Sequence, residues 1–366
     1  MSPDPSPSSS TPAVSPAASP AAGGGRRWRR RLLSFTAGVI ALILACGGWV
    51  VYQHTYDLRE EQVTITGGEH PLKGVLALPP TGRGPFGLVV FVHGDGPIDA
   101  THETFYRPAW EALAEAGYAS LSWNKPGVGG APGQWLHQSM DDRARETLDA
   151  IAWAKTRPDV DPARIGLWGA SQAGWVMPKV AVRMPELRFV IAVSPAVNWL
   201  RQGRYNLLAE LEEAGASPRE VRAAVARSDR TRELLAAGAS FERYRAALGG
   251  AQGMTPDRWR FVLANHTSDA TADLERMRTP VLLMLGGHDV NVDVAETEDV
   301  YRRLLRRPGQ LQVRHYPDAT HSLVPKDVEG SELRSFLLAV AAPRSLAAEG
   351  YLDDLRRYAV RQDGGR

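Results

Sequence analysis

Four short stretches of this 366-residue chain are apolar almost without break: Leu88–Val92, Ile165–Trp168, Phe189–Val193 and Val281–Leu285. Successive side chains of a strand point to opposite faces, so a strand with one face in water alternates apolar and polar residues. These stretches do not alternate, so strands built from them need cover on both faces. Segments of helical periodicity stand between them, at 103–116, at 141–156 and from about Gln172 onward. Shorter β-like runs occur at Val63–Thr66, Val75–Leu78, Tyr118–Trp123 and Leu311–His315. The order is β-β-β-α-β-α-β-α-β, a long insertion, then β-α-β-α. It predicts an α/β class chain with a mostly parallel sheet between two helical layers.

The insertion, residues 195–278, is rich in Ala, Arg and Glu and has few strand signals. It reads as a helical cap. The sheet domain is then expected in two parts, 57–194 and 279–345, followed by a C-terminal helix and tail over 346–366.

The start of the chain belongs to none of this. Residues 1–25 are Pro, Ser, Ala and Gly with a single acid, Asp4. They cannot bury enough apolar surface to offset their ordering entropy, so 1–31 is expected to be disordered and, at its end, basic. Five arginines lie within 26–31, ahead of the uncharged run Leu32–Tyr52. Twenty-one helical residues span roughly 30 Å, the thickness of bilayer hydrocarbon. Trp28, Trp49, Tyr52 and Tyr56 flank the run, where amphipathic rings favour the interface. The reading is a transmembrane or signal-anchor helix over 32–52, with the remainder outside the cytoplasm by the positive-inside rule. A cleaved secretory leader is the alternative. Arg29-Arg30 before Leu32-Leu33 resembles a twin-arginine leader, and Ile43-Leu44-Ala45-Cys46 resembles a lipoprotein box, which would leave a lipid anchor.

Composition narrows the function. Charged residues make up 23% and hydrophobic residues 43%, as in an ordinary folded protein. One cysteine, Cys46, excludes an intramolecular disulfide and a cysteine-cluster metal site. The net charge of +2 gives no support to nucleic-acid binding. The basic character sits before residue 57, where the five arginines stand against Asp4. The remainder is mildly acidic, which disfavours an anionic polymer as substrate.

The sequence Ile165-Gly166-Leu167-Trp168-Gly169-Ala170-Ser171-Gln172-Ala173-Gly174 runs from a strand into a turn that holds a serine. Such a turn brings backbone segments very close, so small residues must flank the serine. This segment resembles the nucleophile elbow, Gly-x-Ser-x-Gly, of the α/β-hydrolase superfamily. It departs at the last position, which holds Ala173, with Gly174 one residue later. Pro178 is expected to remove a donor from the following helix and to kink it.

The resemblance implies a catalytic triad in the order serine, acid, histidine. Gly286-Gly287-His288-Asp289 follows the strand Val281–Leu285, and Asp318-Ala319-Thr320-His321 follows the last strand. Ser171 would be the nucleophile, His321 the base and Asp289 its orienting acid. Asp293 is an alternative acid, otherwise a helix N-cap. His315 is an alternative base, otherwise structural. His288 beside Asp289 lacks the further ligands a metal site needs.

His93-Gly94-Asp95-Gly96-Pro97 is similar to the family's oxyanion loop. It implies backbone donors from Gln172 and from Asp95 or Gly94. A carboxylate there would repel an oxyanion, so the Asp95 side chain should point away or be hydrogen-bonded. Asn124-Lys125-Pro126-Gly127-Val128-Gly129-Gly130 is similar to a structural loop of the family, and Asn124 and Lys125 are candidate walls of the site. Trp175 and Trp199 are further substrate-binding candidates. Tyr205, Phe241, Tyr244, Trp259 and Phe261 of the insertion either cover an acyl group or pack among themselves.

The elbow holds serine rather than aspartate, unlike haloalkane dehalogenases and epoxide hydrolases. The chain looks most similar to the dienelactone-hydrolase-like and acyl-thioester-hydrolase-like branches. This implies a carboxylesterase-like serine hydrolase of small or medium acyl esters that needs no cofactor. A prolyl-oligopeptidase-type peptidase, an acyl-thioesterase, an acyltransferase and a non-catalytic tethered binding module are the alternatives.

Overall fold

The computed structural model describes residues 24–363. Residues 1–23, and most of the segment expected to be disordered, lie outside that range. The chain divides into two units, one ending at Tyr52 and one beginning at Gln53.

Among the described residues the first unit is a helix, α1 (Gly24–Gln53), whose last residue is the first of the second unit. It starts at Gly24 rather than at Leu32, so the backbone of the arginine cluster is helical, as the good helix propensity of arginine allows. Its stretch Arg31–Gln53 has a mean hydropathy of 2.0 and is long and apolar enough to cross a membrane.

The second unit is built on eight strands: β1 (Arg59–Ile65), β2 (Leu72–Leu78), β3 (Phe86–Val92), β4 (Tyr118–Trp123), β5 (Val160–Ala170), β6 (Phe189–Val193), β7 (Val281–Gly286) and β8 (Leu311–Tyr316). Their order across the sheet is β1-β2-β4-β3-β5-β6-β7-β8. The two pairings of β2 are antiparallel and the remaining five are parallel.

All eight strands were legible in the sequence, and the lack of alternation has the expected cause. On β3, Leu88, Val90 and Val92 enter one core while Val89 and Phe91 enter the other. The first core is closed by helices α3 (Met140–Ala154), α4 (Met177–Arg183) and α10 (Val294–Leu304). The second is closed by α2 (Arg107–Glu115) and α13 (Tyr351–Asp363), through Trp110, Leu113, Leu355 and Tyr358. The C-terminal helix is therefore part of the sheet's cover. Two helices precede it, α11 (Lys326–Glu329) and α12 (Glu332–Ala341).

Helix α2 is shorter than the periodicity of 103–116 suggests. Pro108 lies in its first turn, where no backbone donor is needed. Residues ahead of it form a tight loop around the Asp99 carboxylate, which accepts from the N–H of Thr101 and Glu103. His102, Glu103 and Thr104 there have positive φ.

Between β6 and β7 the chain inserts five helices: α5 (Trp199–Glu213), α6 (Pro218–Ala236), α7 (Phe241–Ala247), α8 (Pro256–Asn265) and α9 (Thr271–Arg276). Leu234, Leu235, Tyr244 and Trp259 form a small core of their own, with the Tyr244 and Trp259 rings stacked 4.3 Å apart.

Strand β4 lies to one side of β3 and β5 to the other. Loops leaving the carboxyl ends of β3 and β5 diverge at this reversal and leave a crevice, the usual ligand position in open α/β sheets.

Candidate active site

The turn after β5 puts Ser171 in that crevice. Its φ is +55°, a left-handed conformation that costs a side-chain-bearing residue roughly 1–3 kcal/mol and persists only where the surroundings enforce it. The surroundings are tight. A Cβ on Gly169 would lie 2.7 Å from the Cβ of Ala173 and 2.9 Å from the carbonyl oxygen of Val92. A Cβ on Gly174 would lie 2.3 Å from the carbonyl oxygen of Ala196. This explains the departure from the Gly-x-Ser-x-Gly pattern. Ala173 is accommodated because Gly169 opposite it has no side chain, and the strict need for glycine falls at position 174. After the short 3-10 turn Ser171–Trp175, α4 begins at Met177. Pro178 therefore sits in a first turn, and the expected kink is absent.

Asp289 and His321 meet as a pair. The Asp289 side chain is fully buried and its Oδ2 lies 2.8 Å from His321 Nδ1. Its Oδ1 accepts from the N–H groups of Asn291 and Val292, both at 2.8 Å. A carboxylate can only accept, so Nδ1 carries the proton and Nε2 presents a lone pair. Among the described residues, the Ser171 hydroxyl makes no hydrogen bond to His321. Both line one cavity of about 590 Å³, together with Gly94, Asp95 and Gln172.

The sequence profile of the serine aminopeptidase S33 family matches residues 83–328, two thirds of the chain and all the residues just described. The chain belongs to this family of α/β-hydrolases. The solved Pyrococcus furiosus esterase Pf2001 is similar in fold, with 18% identity, a TM-score of 0.51 and coverage of 77% of this chain and 90% of that one. So is Est1E from Butyrivibrio proteoclasticus, with 15% identity, a TM-score of 0.51 and coverage of 82% and 98%. The Rv0571c protein of Mycobacterium tuberculosis is 31% identical over 114 residues, 31% of this chain and 25% of that one. The chain thus spans a quarter of the length of the first curated relatives it matches.

In this S33 hydrolase the loop after β3 is held by two basic side chains: Arg143, which sequence reading did not single out, and Lys125, which does not line the cavity as expected. Arg143, buried on α3, donates through Nη1 to Gln172 Oε1 at 2.6 Å and through Nη2 to the His93 carbonyl. Lys125 donates through Nζ to the carbonyls of Gly94 and Gly96, at 2.6 and 2.9 Å. Burial, reinforced by the charge of Arg143, pushes the Lys125 pKa well below its ordinary value. These contacts draw the loop carbonyls to one side and fix the backbone beside Ser171.

The Asp95 carboxylate is hydrogen-bonded, as one of the two expectations had it. It accepts from Arg258 of α8 and from Gln172 Nε2. Burial works to raise its pKa, but the Arg258 hydrogen bonds and charge outweigh that and hold it below the usual carboxylate range.

His93 is fully enclosed. Its Nε2 faces the Trp123 carbonyl, so Nε2 carries the proton, and Nδ1 accepts from the Tyr106 hydroxyl at 3.0 Å. Burial first, then the charge of Lys125, keeps its pKa well below the ordinary histidine value.

Trp175 and Trp199 line the cavity and stack on each other at 4.8 Å. Asn124 does not line it. Its Oδ1 accepts from the Ala100 N–H, which turns the side chain into a brace for the loop before α2. Tyr205 donates to the Asp289 carbonyl rather than covering the cavity. Asp293 is the N-cap of α10, accepting from the Glu296 N–H. His315 is paired with Glu298 on the surface.

Proposed function

We propose that the chain is a serine esterase acting on uncharged acyl groups, with Ser171, His321 and Asp289 as its triad. The Ser171 hydroxyl attacks the ester carbonyl and its proton passes to His321 Nε2. Asp289 steadies the imidazolium through Nδ1. Backbone N–H groups of Gln172 and of Asp95 or Gly94 receive the oxyanion. His321 returns the proton to the leaving alcohol, then takes one from the water that frees the acyl group. The observation that carries the reading is the pairing of His321 with a buried, doubly braced Asp289 in the cavity that also holds a left-handed Ser171.

An aminopeptidase reading has the family's name behind it. It needs a carboxylate near the nucleophile to hold the substrate's ammonium group. Asp95 and Glu103 are the carboxylates on the cavity wall. Asp95 is already held by Arg258, and Glu103 lies on the exposed loop before α2, so a neutral acyl group fits better. The helical insertion acts as a cap, and α1 anchors the protein in a membrane with the hydrolase outside the cytoplasm.

The test is labelling of the full-length protein by a fluorophosphonate probe. Ser171→Ala should abolish labelling and hydrolysis of p-nitrophenyl esters. Labelling that persists in that variant refutes the assignment of the nucleophile. Faster cleavage of aminoacyl-p-nitroanilides than of any ester in a chain-length series would favour the peptidase.

A further inference from the structure

Helix α12 turns its apolar residues outward. Leu333, Phe336, Leu337 and Val340 are 67%, 64%, 53% and 36% exposed, and their spacing places them on a single face. In a helix packed on a core that face would be the buried one. A contiguous apolar patch of this kind marks an interaction surface.

What lies beside it is given by the chain path. The second unit begins at Gln53, the last residue of the apolar stretch Arg31–Gln53, and His54 and Thr55 follow it. They are tied to the same corner of the fold as α12. His54 Nε2 lies 3.0 Å from the Val340 carbonyl. Arg344 donates to the carbonyls of Gln53 and Thr55 at 2.7 and 2.8 Å. Arg344 also grips Glu111 of α2 and lies over the Tyr56 ring, which fixes this corner on the folded domain.

The cavity reaches the same corner. Beyond Ser171 and His321 its wall continues through Tyr106, Leu323, Ala339, Pro343 and Leu346. Ala339 belongs to α12 and is itself exposed. One cavity thus has on its wall both Ser171 and a residue of the helix whose outer face is apolar.

We infer that α12 lies in the surface of a lipid bilayer and that the cavity receives the acyl chain of a bilayer-resident ester. The inference rests on the serine-esterase and membrane-anchor readings above and names their substrate class. The exposed stripe has the pattern of an interfacial amphipathic helix, and α12 shares its corner of the domain with Gln53, His54 and Thr55, where the domain's chain begins. The substrate then reaches Ser171 without crossing water, with its carbonyl at the oxyanion donors and its chain along Leu323 and Leu346.

The experiment uses the full-length chain reconstituted in phosphatidylcholine vesicles. Two substrates are compared, water-soluble p-nitrophenyl butyrate and a long-chain fluorogenic ester dissolved in the same vesicles. The double variant Phe336→Ser/Leu337→Ser is expected to lower turnover of the embedded ester roughly tenfold while leaving the soluble ester within about twofold, which also reports intact folding. In a Cys46→Ala background, Leu337→Cys bearing an environment-sensitive dye should be quenched by quenchers carried on the lipids. Equal rates on the embedded ester, or a dye that only aqueous quenchers reach, overturns the inference. A dye shielded from both quenchers also overturns it, in favour of a protein partner or a second copy. If Ser171→Ala matches wild type on the soluble ester, the esterase reading fails while the dye still reports where α12 lies. A chain that does not float with the vesicles refutes the anchor.

Discussion

Arg258 reaches from α8 to Asp95 on the loop after β3, with Nη1 3.0 Å from Oδ1 and Nη2 on Oδ2. The inserted helices thus supply the countercharge for a carboxylate that stands beside the backbone N–H groups proposed as oxyanion donors. Without it, two negative charges would share one pocket in the transition state. Arg258→Ala is expected to lower kcat for a soluble ester by about tenfold to a hundredfold. Adding Asp95→Asn should restore most of that loss, because the repelling charge goes with it. A double variant no better than Arg258→Ala would show that the arginine acts in another way.

Arg143 is expected to be a positioning residue for the same donors, since it joins the carbonyl of His93 to the side chain of Gln172. Arg143→Met leaves both acceptors buried without a donor. A fall in kcat on the order of 10²-fold with KM nearly unchanged is the expected result. A change confined to KM would place its role in ground-state binding instead.

The elbow predicts an asymmetry between neighbours. Gly174→Ala forces a methyl group against the backbone of Ala196 and should cost roughly 3 kcal/mol or more. Ala173→Gly removes a methyl from a place where glycine is the family's usual residue and should cost about 1 kcal/mol. Melting temperatures of the two variants measure this directly. Equal losses would contradict the close approach seen at position 174.

His93 gives the fold a pH dependence. Its pKa is depressed in the folded state, so at pH below about 6.5 the unfolded chain binds a proton that the folded chain refuses. Stability is then fully present above that pH and is lost as pH falls below it, by up to about 1.4 kcal/mol per pH unit from this group. Melting in detergent between pH 5 and 7.5 should show the decline, and His93→Gln should flatten it. His102 and Lys125, whose pKa values burial also lowers, supply the remaining slope. An unchanged slope in His93→Gln would remove His93 as the cause.

The strands, the Ser171 turn and the positions of Asp289 and His321 were legible because each has a local signature. A run without alternation, a serine among small residues and an acid or histidine just past a strand can all be read within ten residues. Arg143 and Arg258 have no such signature, and Lys125 was legible as a candidate wall of the site but not as a donor to the loop carbonyls. Their partners lie far away in the chain, at His93 and Gln172, at Gly94 and Gly96, and at Asp95. Periodicity cannot tell a buried arginine on α3 from a solvated one. Asn124 misled for a related reason: it follows a strand end near the site, but its hydrogen bond to Ala100 turns it to another task. The start of α2 was misplaced because Asp99 and Pro108, both visible in the sequence, hold a tight loop where apolar spacing suggested another turn of helix.

The far wall of the cavity has a consequence for biosynthesis. Tyr351 and Leu352 both line it, and the Tyr351 hydroxyl receives the Trp168 indole N–H at 3.0 Å. They are translated after Ser171, Asp289 and His321. A nascent chain can therefore carry Ser171, Asp289 and His321 before the part of the cavity wall that Tyr351 and Leu352 supply. A ribosome-bound or C-terminally clipped chain would hold these three side chains without the enclosure that α13 completes.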